Sequence, residues 1–251
     1  MSDELDDDGL CAAAVEAHDH DRWLAALFAP DARRPGLMAL YAFNLEVARV
    51  RETVREPMLG EIRLQWWRET LEACAQGRPR EQPVARALAR HVTDEAAWPL
   101  LQAIIDARSA DLDAGPPPDL AAYAAGTSGN LAQAAAILLG RGDSDTMKAA
   151  QAAGTAHALV GLVRAAPFLA AHGRPWIEAG QVAALLDQAA GHLAAARATG
   201  VARPALAAVL PATIAGLYLQ RLRRAGGDTD PLVSPLRKQL TLLWHAAIGR
   251  F

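Results

Sequence analysis

Tyr41-Ala42-Phe43-Asn44-Leu45-Glu46-Val47-Ala48-Arg49-Val50-Arg51-Glu52 is the stretch that decides the fold. Its side chains recur at three- and four-residue intervals, with Leu37, Leu40, Tyr41, Asn44, Leu45 and Ala48 along one side of a helix. Pro35 opens that helix, and Pro57 stops it after Glu56. Outward from here the same period continues, and no stretch shows sustained period-two alternation. A second helix is expected over about 59–76, ended by Gly77 and Pro79. Shorter ones follow over 83–91 and 95–113. The run Gly115-Pro116-Pro117-Pro118 is the clearest break, and Asp119 caps the next helix, about 120–139.

Beyond Gly140–Gly142 a long helix reaches about 171, with Pro167 predicting a kink or an early end. Helices over about 178–199, 204–225 and 231–249 complete the chain, the last two separated by Gly226-Gly227-Asp228. Every linker is short, so residues 1–251 read as one all-α domain, with residues 1–9 as an acidic, mobile start. Gly126, Ser128 and Gly129 leave room for a neighbouring helix or a ligand to approach.

Composition agrees. Of 251 residues 52% are hydrophobic and 21% charged, enough apolar surface for a large core and too little charge for disorder. Alanine dominates, which favours helix. A net charge of -3, with no aromatic residues interleaved in a basic stripe, gives no reason to expect nucleic acid. Cys11 and Cys74 form no metal-type spacing and fit a reducing compartment, most simply the cytoplasm. The acidic start lacks the basic, then apolar, order of a secretory signal. Residues 204–219 carry no charge but fall short of the ~20 needed to span a bilayer, so they read as a core helix that leaves peripheral membrane contact open.

The stretch 41–52 resembles the first signature helix of the squalene/phytoene synthase family. Arg63-Leu64-Gln65-Trp66-Trp67-Arg68 is similar to that family's arginine–tryptophan segment, and Tyr123–Gly129 to its Tyr-then-small-residue helix. Gly154 to Ile177, with Ala156, Leu159, Arg164, Gly173 and Arg174, resembles its second signature. The resemblance implies a helical bundle of the isoprenoid synthase type with a central cavity. It also implies two Asp-rich motifs holding Mg²⁺ against prenyl diphosphates, since hard Mg²⁺ takes oxygen ligands and carboxylates at i,i+4 share a helix face. Here those positions are Ala48 and Glu52 in the first motif, Ala165 and Leu169 in the second. One carboxylate of four remains, so the expectation is no catalytic residue, no metal and no cofactor.

This variant pattern resembles a non-catalytic branch that includes a mitochondrial assembly factor for respiratory complex I. The resemblance implies a pseudoenzyme binding a lipid, an isoprenoid-like molecule or an assembly partner. The alternative is a divergent prenyltransferase using Glu52, arginines and Mg²⁺. Candidate pocket residues are Tyr41, Asn44, Arg49, Glu52, Tyr123, Arg164 and Phe168. Arg49 and Arg164 either bind a phosphate or carboxylate headgroup directly or pair with Glu46, Glu52 or Glu69. The aromatic residues either line a tunnel or simply pack. Of Trp66 and Trp67, adjacent on a helix, one belongs to the core. His18-Asp19-His20-Asp21 reads as surface polar sequence near a helix start, and His157 receives no role.

Overall fold

A computed structural model describes residues 6–54, 56–225 and 232–251, which are helical without a strand. The expected separator Gly226-Gly227-Asp228 lies outside the described residues. Two helices precede the stretch that opened the sequence reading. Helix α1, Asp7–His18, starts where the Asp6 carboxylate accepts a hydrogen bond from the Gly9 amide, satisfying a free donor of the first turn. Residues 6–9 are therefore anchored, and the rest of the expected mobile start, 1–5, lies outside the described residues. Asp7 receives Arg86 at 2.7 Å, and Asp8 meets Arg90 at 3.1 Å and His91 at 2.9 Å. The Arg86 hydrogen bond holds the Asp7 carboxyl below the usual carboxylate range. Helix α2, His20–Ala26, is capped in turn by Asp19, which accepts from the Arg22 amide.

Helix α3, Arg34–Ala48, buries an unbroken run from Gly36 to Asn44. It does not reach Glu56. The chain turns at Arg49 and makes one further turn, α4, Val50–Thr53. Helices α5 (Pro57–Ala75), α6 (Pro83–His91) and α7 (Ala97–Arg108) follow, each of the first two begun by a proline whose missing N–H costs nothing there. Trp67 is the buried member of its pair, with edge contacts to Phe43 and Trp66, while Trp66 lies beneath the Arg80 guanidinium.

Helices α8 (Leu120–Ala124) and α9 (Asn130–Leu138) are joined through one π-helical turn, Ala125–Gly129. Helix α10, Ser144–Ala171, crosses that turn so closely that a Cβ on Gly154 would stand 2.2 Å from the Ser128 carbonyl oxygen. The small-residue reading of this region is thus a matter of backbone approach. Pro167 does not end α10, because it falls on the exposed side of the last turns. Helices α11 (Val182–Thr199), α12 (Leu206–Ala225) and α13 (Pro235–Ile248) close the array. By length and apolarity 144–171 and 203–224 are each long enough to cross a membrane, but 83% of the most apolar stretch of the second is buried within the fold. It is a core helix packed on α10, α2, α11 and α13.

Candidate functional site

Five helices meet around a polar cleft of about 330 Å³. The end of α1 and start of α2 supply His18, Asp19, His20, Asp21 and Arg22, α10 supplies His157, Val160, Gly161 and Arg164, α12 Ala215 and Tyr218, and α13 Lys238. The α10 residues 157, 161 and 164 fall on one helix face, since they are spaced by four and three. Gly161, with no side chain and no neighbour near its Cβ position, leaves the floor open between the other two.

Within the cleft the carboxylates are already engaged. Arg22 Nη1 donates to Asp19 Oδ2 at 2.5 Å and its Nη2 to Ser128 Oγ at 2.6 Å, tying α2 to the π-helical turn. Burial pushes Asp19 up, but the Arg22 guanidinium outweighs it and holds the carboxyl below its ordinary value. Lys238 Nζ donates to Asp21 Oδ1 at 2.6 Å. Burial opposes its charge, yet hydrogen bonds to Asp21 and Tyr218 hold the ammonium above the usual lysine value. His157 Nδ1 lies 3.3 Å from the Pro211 carbonyl oxygen, which fixes the protonated nitrogen of a neutral ring. Burial, reinforced by the Arg22 charge, pushes this histidine down to about 4.

Arg164 is different. Its guanidinium stacks 3.7 Å from the centroid of the Tyr218 ring, with Lys238 5.0 Å from the same centroid. Its buried Nε has no hydrogen-bond partner, and no carboxylate among the described residues pairs with it. Three fixed cations against two carboxylates leave the cleft with one positive charge in excess. A planar guanidinium held by an aromatic face, with donors unspent, suits an oxyanion.

The central cavity implied by the resemblance is nearly closed. Beneath the cleft, sharing Arg22 and His157 with it, lies a gap of only about 10 Å³ walled by Tyr41, Leu131, Ala132, Gly154, Pro211 and neighbours. That is about room for one water. Tyr41 is fully buried, and Asn44 is buried in the same helix.

The remaining candidates stand elsewhere. Arg49 and Glu52 are exposed and face each other at 3.9 Å; Arg49 borders a separate hollow with Glu46 and Arg63. Ala48 and Ala165 are half-buried, as is Leu169. Phe168 is 58% exposed and stacks on His172, so it lines no interior tunnel. Tyr123 is buried, but its hydroxyl donates to Asp111 and accepts from Arg108, each at 2.6 Å, while Trp176 packs edge-on against its ring. It pins the 109–112 turn and does not line the cleft. Sequence alone therefore picks out Arg164 and misses Asp19, Asp21, Arg22, His157, Tyr218 and Lys238 as a group. The spacing of 157, 161 and 164 was a legible signal, whereas Lys238 is 217 positions from Asp21.

The carboxylates do not fit Mg²⁺. Asp19 and Asp21 are spent on Arg22 and Lys238, and Glu52 lies outside the cleft with Arg49. Among the described residues no three His, Cys, Asp or Glu side chains come together as a metal-holding group.

The described residues form an all-α protein whose fold is that of solved squalene and dehydrosqualene synthases. A dehydrosqualene synthase superposes with a TM-score of 0.69 over 96% of both chains at 17% identity. Squalene synthase HpnC from Alicyclobacillus acidocaldarius gives 0.73 over 88% of this chain and 94% of that one, at 18% identity. These likenesses concern the fold. Residues 15–178 match the squalene/phytoene synthase family, and the chain belongs to it. It is also similar to NADH dehydrogenase (ubiquinone) complex I, assembly factor 6, of Homo sapiens and of Bos taurus, 32% identical to each over 168 residues. That match covers 64% of this chain and 50% of each relative, so the chain spans about half the length of those curated relatives.

Proposed function

We propose that this chain is a non-catalytic member of the family whose cleft binds a phosphate or diphosphate headgroup without a metal, in the service of respiratory complex I assembly. The observation that carries the reading is Arg164, stacked on Tyr218 and paired with no carboxylate among the described residues, in a cleft whose two carboxylates are already neutralised. Direct guanidinium and ammonium contacts take the place that Mg²⁺ holds in a synthase, and a fixed cation needs no deprotonated ligand set. The volume suits a headgroup. With about 10 Å³ beneath it, a long prenyl chain has no preformed tunnel, so a lipid or isoprenoid tail stays at the mouth. The Glu52-dependent alternative gains no support from geometry, because that carboxylate does not border the cleft. The assembly role rests on similarity to the assembly factors.

The test is to incubate the protein with farnesyl and geranylgeranyl diphosphates and Mg²⁺ and to analyse for diphosphate release and coupled products. No product is expected with any combination. A coupled C30 or C40 hydrocarbon sinks the proposal.

A further inference from the structure

Helix α13 is built inside out. Of its 14 residues only Leu242 is buried. Leu236, Leu240, Leu243, Trp244 and Ile248 recur at the four-, three- and one-residue steps of a single face, and each is between 44% and 65% exposed. Leu232, just ahead of the helix, is 79% exposed. The stripe runs the length of the helix, about 21 Å, and is too contiguous to be scattered surface apolarity.

Charge decides what covers it. Residues 232–251 contain Arg237, Lys238 and Arg250 and no acidic residue. Lys238 turns inward to Asp21, while Arg237 is exposed beside the stripe. Two more arginines stand at the two ends of this segment: Arg221 donates to the Leu232 carbonyl just ahead of the helix, and Arg203 Nη2 to the Ala247 carbonyl in its last turn at 2.9 Å. Arg250, at the far end, shares a hollow with Asp143 and Asp145 and adds less to this collar. A two-fold pairing of the stripe with a second copy would set these arginines against each other. An apolar face with a tryptophan, edged by arginines, matches instead the boundary between acyl chains and anionic headgroups.

We propose that α13 lies flat on an anionic phospholipid surface, with Leu236, Leu240, Leu243 and Trp244 inserted and Arg237, Arg221 and Arg203 against the headgroups. This is independent of what the cleft binds. The contrast is an apolar patch on α5, Met58, Leu59 and Ile62, which is equally exposed but interrupted by the exposed Glu61.

The experiment is co-sedimentation with phosphatidylcholine vesicles, plain or containing about a third phosphatidylglycerol. The wild type is expected to bind the anionic vesicles at least tenfold more strongly than the neutral ones, and less so as salt rises. Leu240→Glu and Trp244→Glu should each lose at least tenfold while keeping the wild-type thermal midpoint, since both side chains are exposed. Ile62→Glu should bind as wild type does. Failure of the wild type to bind either vesicle overturns the proposal, as does undiminished binding by Leu240→Glu. So does a stable dimer in solution that Leu240→Glu dissolves, which would make a second copy the occupant.

Discussion

Arg22, in the first turn of α2, and Arg49, between α3 and α4, each face a carboxylate three residues away, yet they do different work. Arg22 is buried, pairs with Asp19 at 2.5 Å, reaches Ser128 and lies over the Tyr41 ring. Arg49 is half exposed and stands 3.9 Å from Glu52, itself 62% exposed. The first pair organises a cleft; the second is a solvated pair at the positions that the sequence resemblance aligns with a metal-binding motif. Position in a family motif is thus a poor guide to what a charge does. Burial and geometry decide, because Coulomb energy grows as water is excluded.

The largest expected effect breaks the first pair. Arg22→Ala strands Asp19 in the cleft and unties α2 from the π-helical turn, which should cost about 3 kcal/mol in urea unfolding. Gly154→Ala strikes the same junction from behind, where the new methyl would meet the Ser128 carbonyl at 2.2 Å. About 2 kcal/mol should be lost, with weaker anion binding as the junction opens. A mild effect on stability in both variants would remove the contrast between the two regions.

Acid supplies a finer probe. His157 is held neutral down to about 4, so the unfolded chain takes up a proton first as pH falls below the ordinary histidine value of 6.5. Stability should therefore decline between about pH 6.5 and 4, and His157→Gln should flatten that decline. Asp19, whose folded value is depressed, contributes above 3.8 and loses its contribution only as pH falls further through its folded value. A variant that keeps the full slope between pH 6.5 and 4 would place the titration elsewhere.

Smaller still in stability, Arg164→Ala should cost about 1 kcal/mol for the lost stack on Tyr218, but lower pyrophosphate affinity about tenfold or more. Glu52→Gln should do neither: unfolding within about 0.5 kcal/mol of wild type and unchanged anion binding. If Glu52→Gln rather than Arg164→Ala abolished binding, the old motif position would still be the functional one.

Most of the helices were legible in sequence because prolines and glycines mark their ends: Pro57, Gly77, the 115–118 run and Gly140 all fall at boundaries. The break at Arg49 was not, since neither proline nor glycine marks it. The anchoring of residues 6–9 has no local signal, because the partners of Asp7 and Asp8, namely Arg86, Arg90 and His91, lie about eighty residues away. The cleft was legible only in part. Arg164 stands out by its motif position, whereas His18 to Asp21 read as surface polar sequence although the Asp19 and Asp21 side chains are largely buried and paired. Their assembly with His157, Tyr218 and Lys238 depends on how α10, α12 and α13 pack, which no local pattern encodes. Of the two alternatives for the aromatic residues, lining a tunnel or packing, Tyr41 is packed tight in the core and Phe168 turns to solvent.

Titration calorimetry with farnesyl diphosphate, in EDTA and then with Mg²⁺, tests the central claim most directly. Metal-independent binding at Arg164 predicts saturable one-site heat in EDTA, little changed by Mg²⁺ and lost in Arg164→Ala. Binding that appears only with Mg²⁺, or that persists in Arg164→Ala, would contradict it.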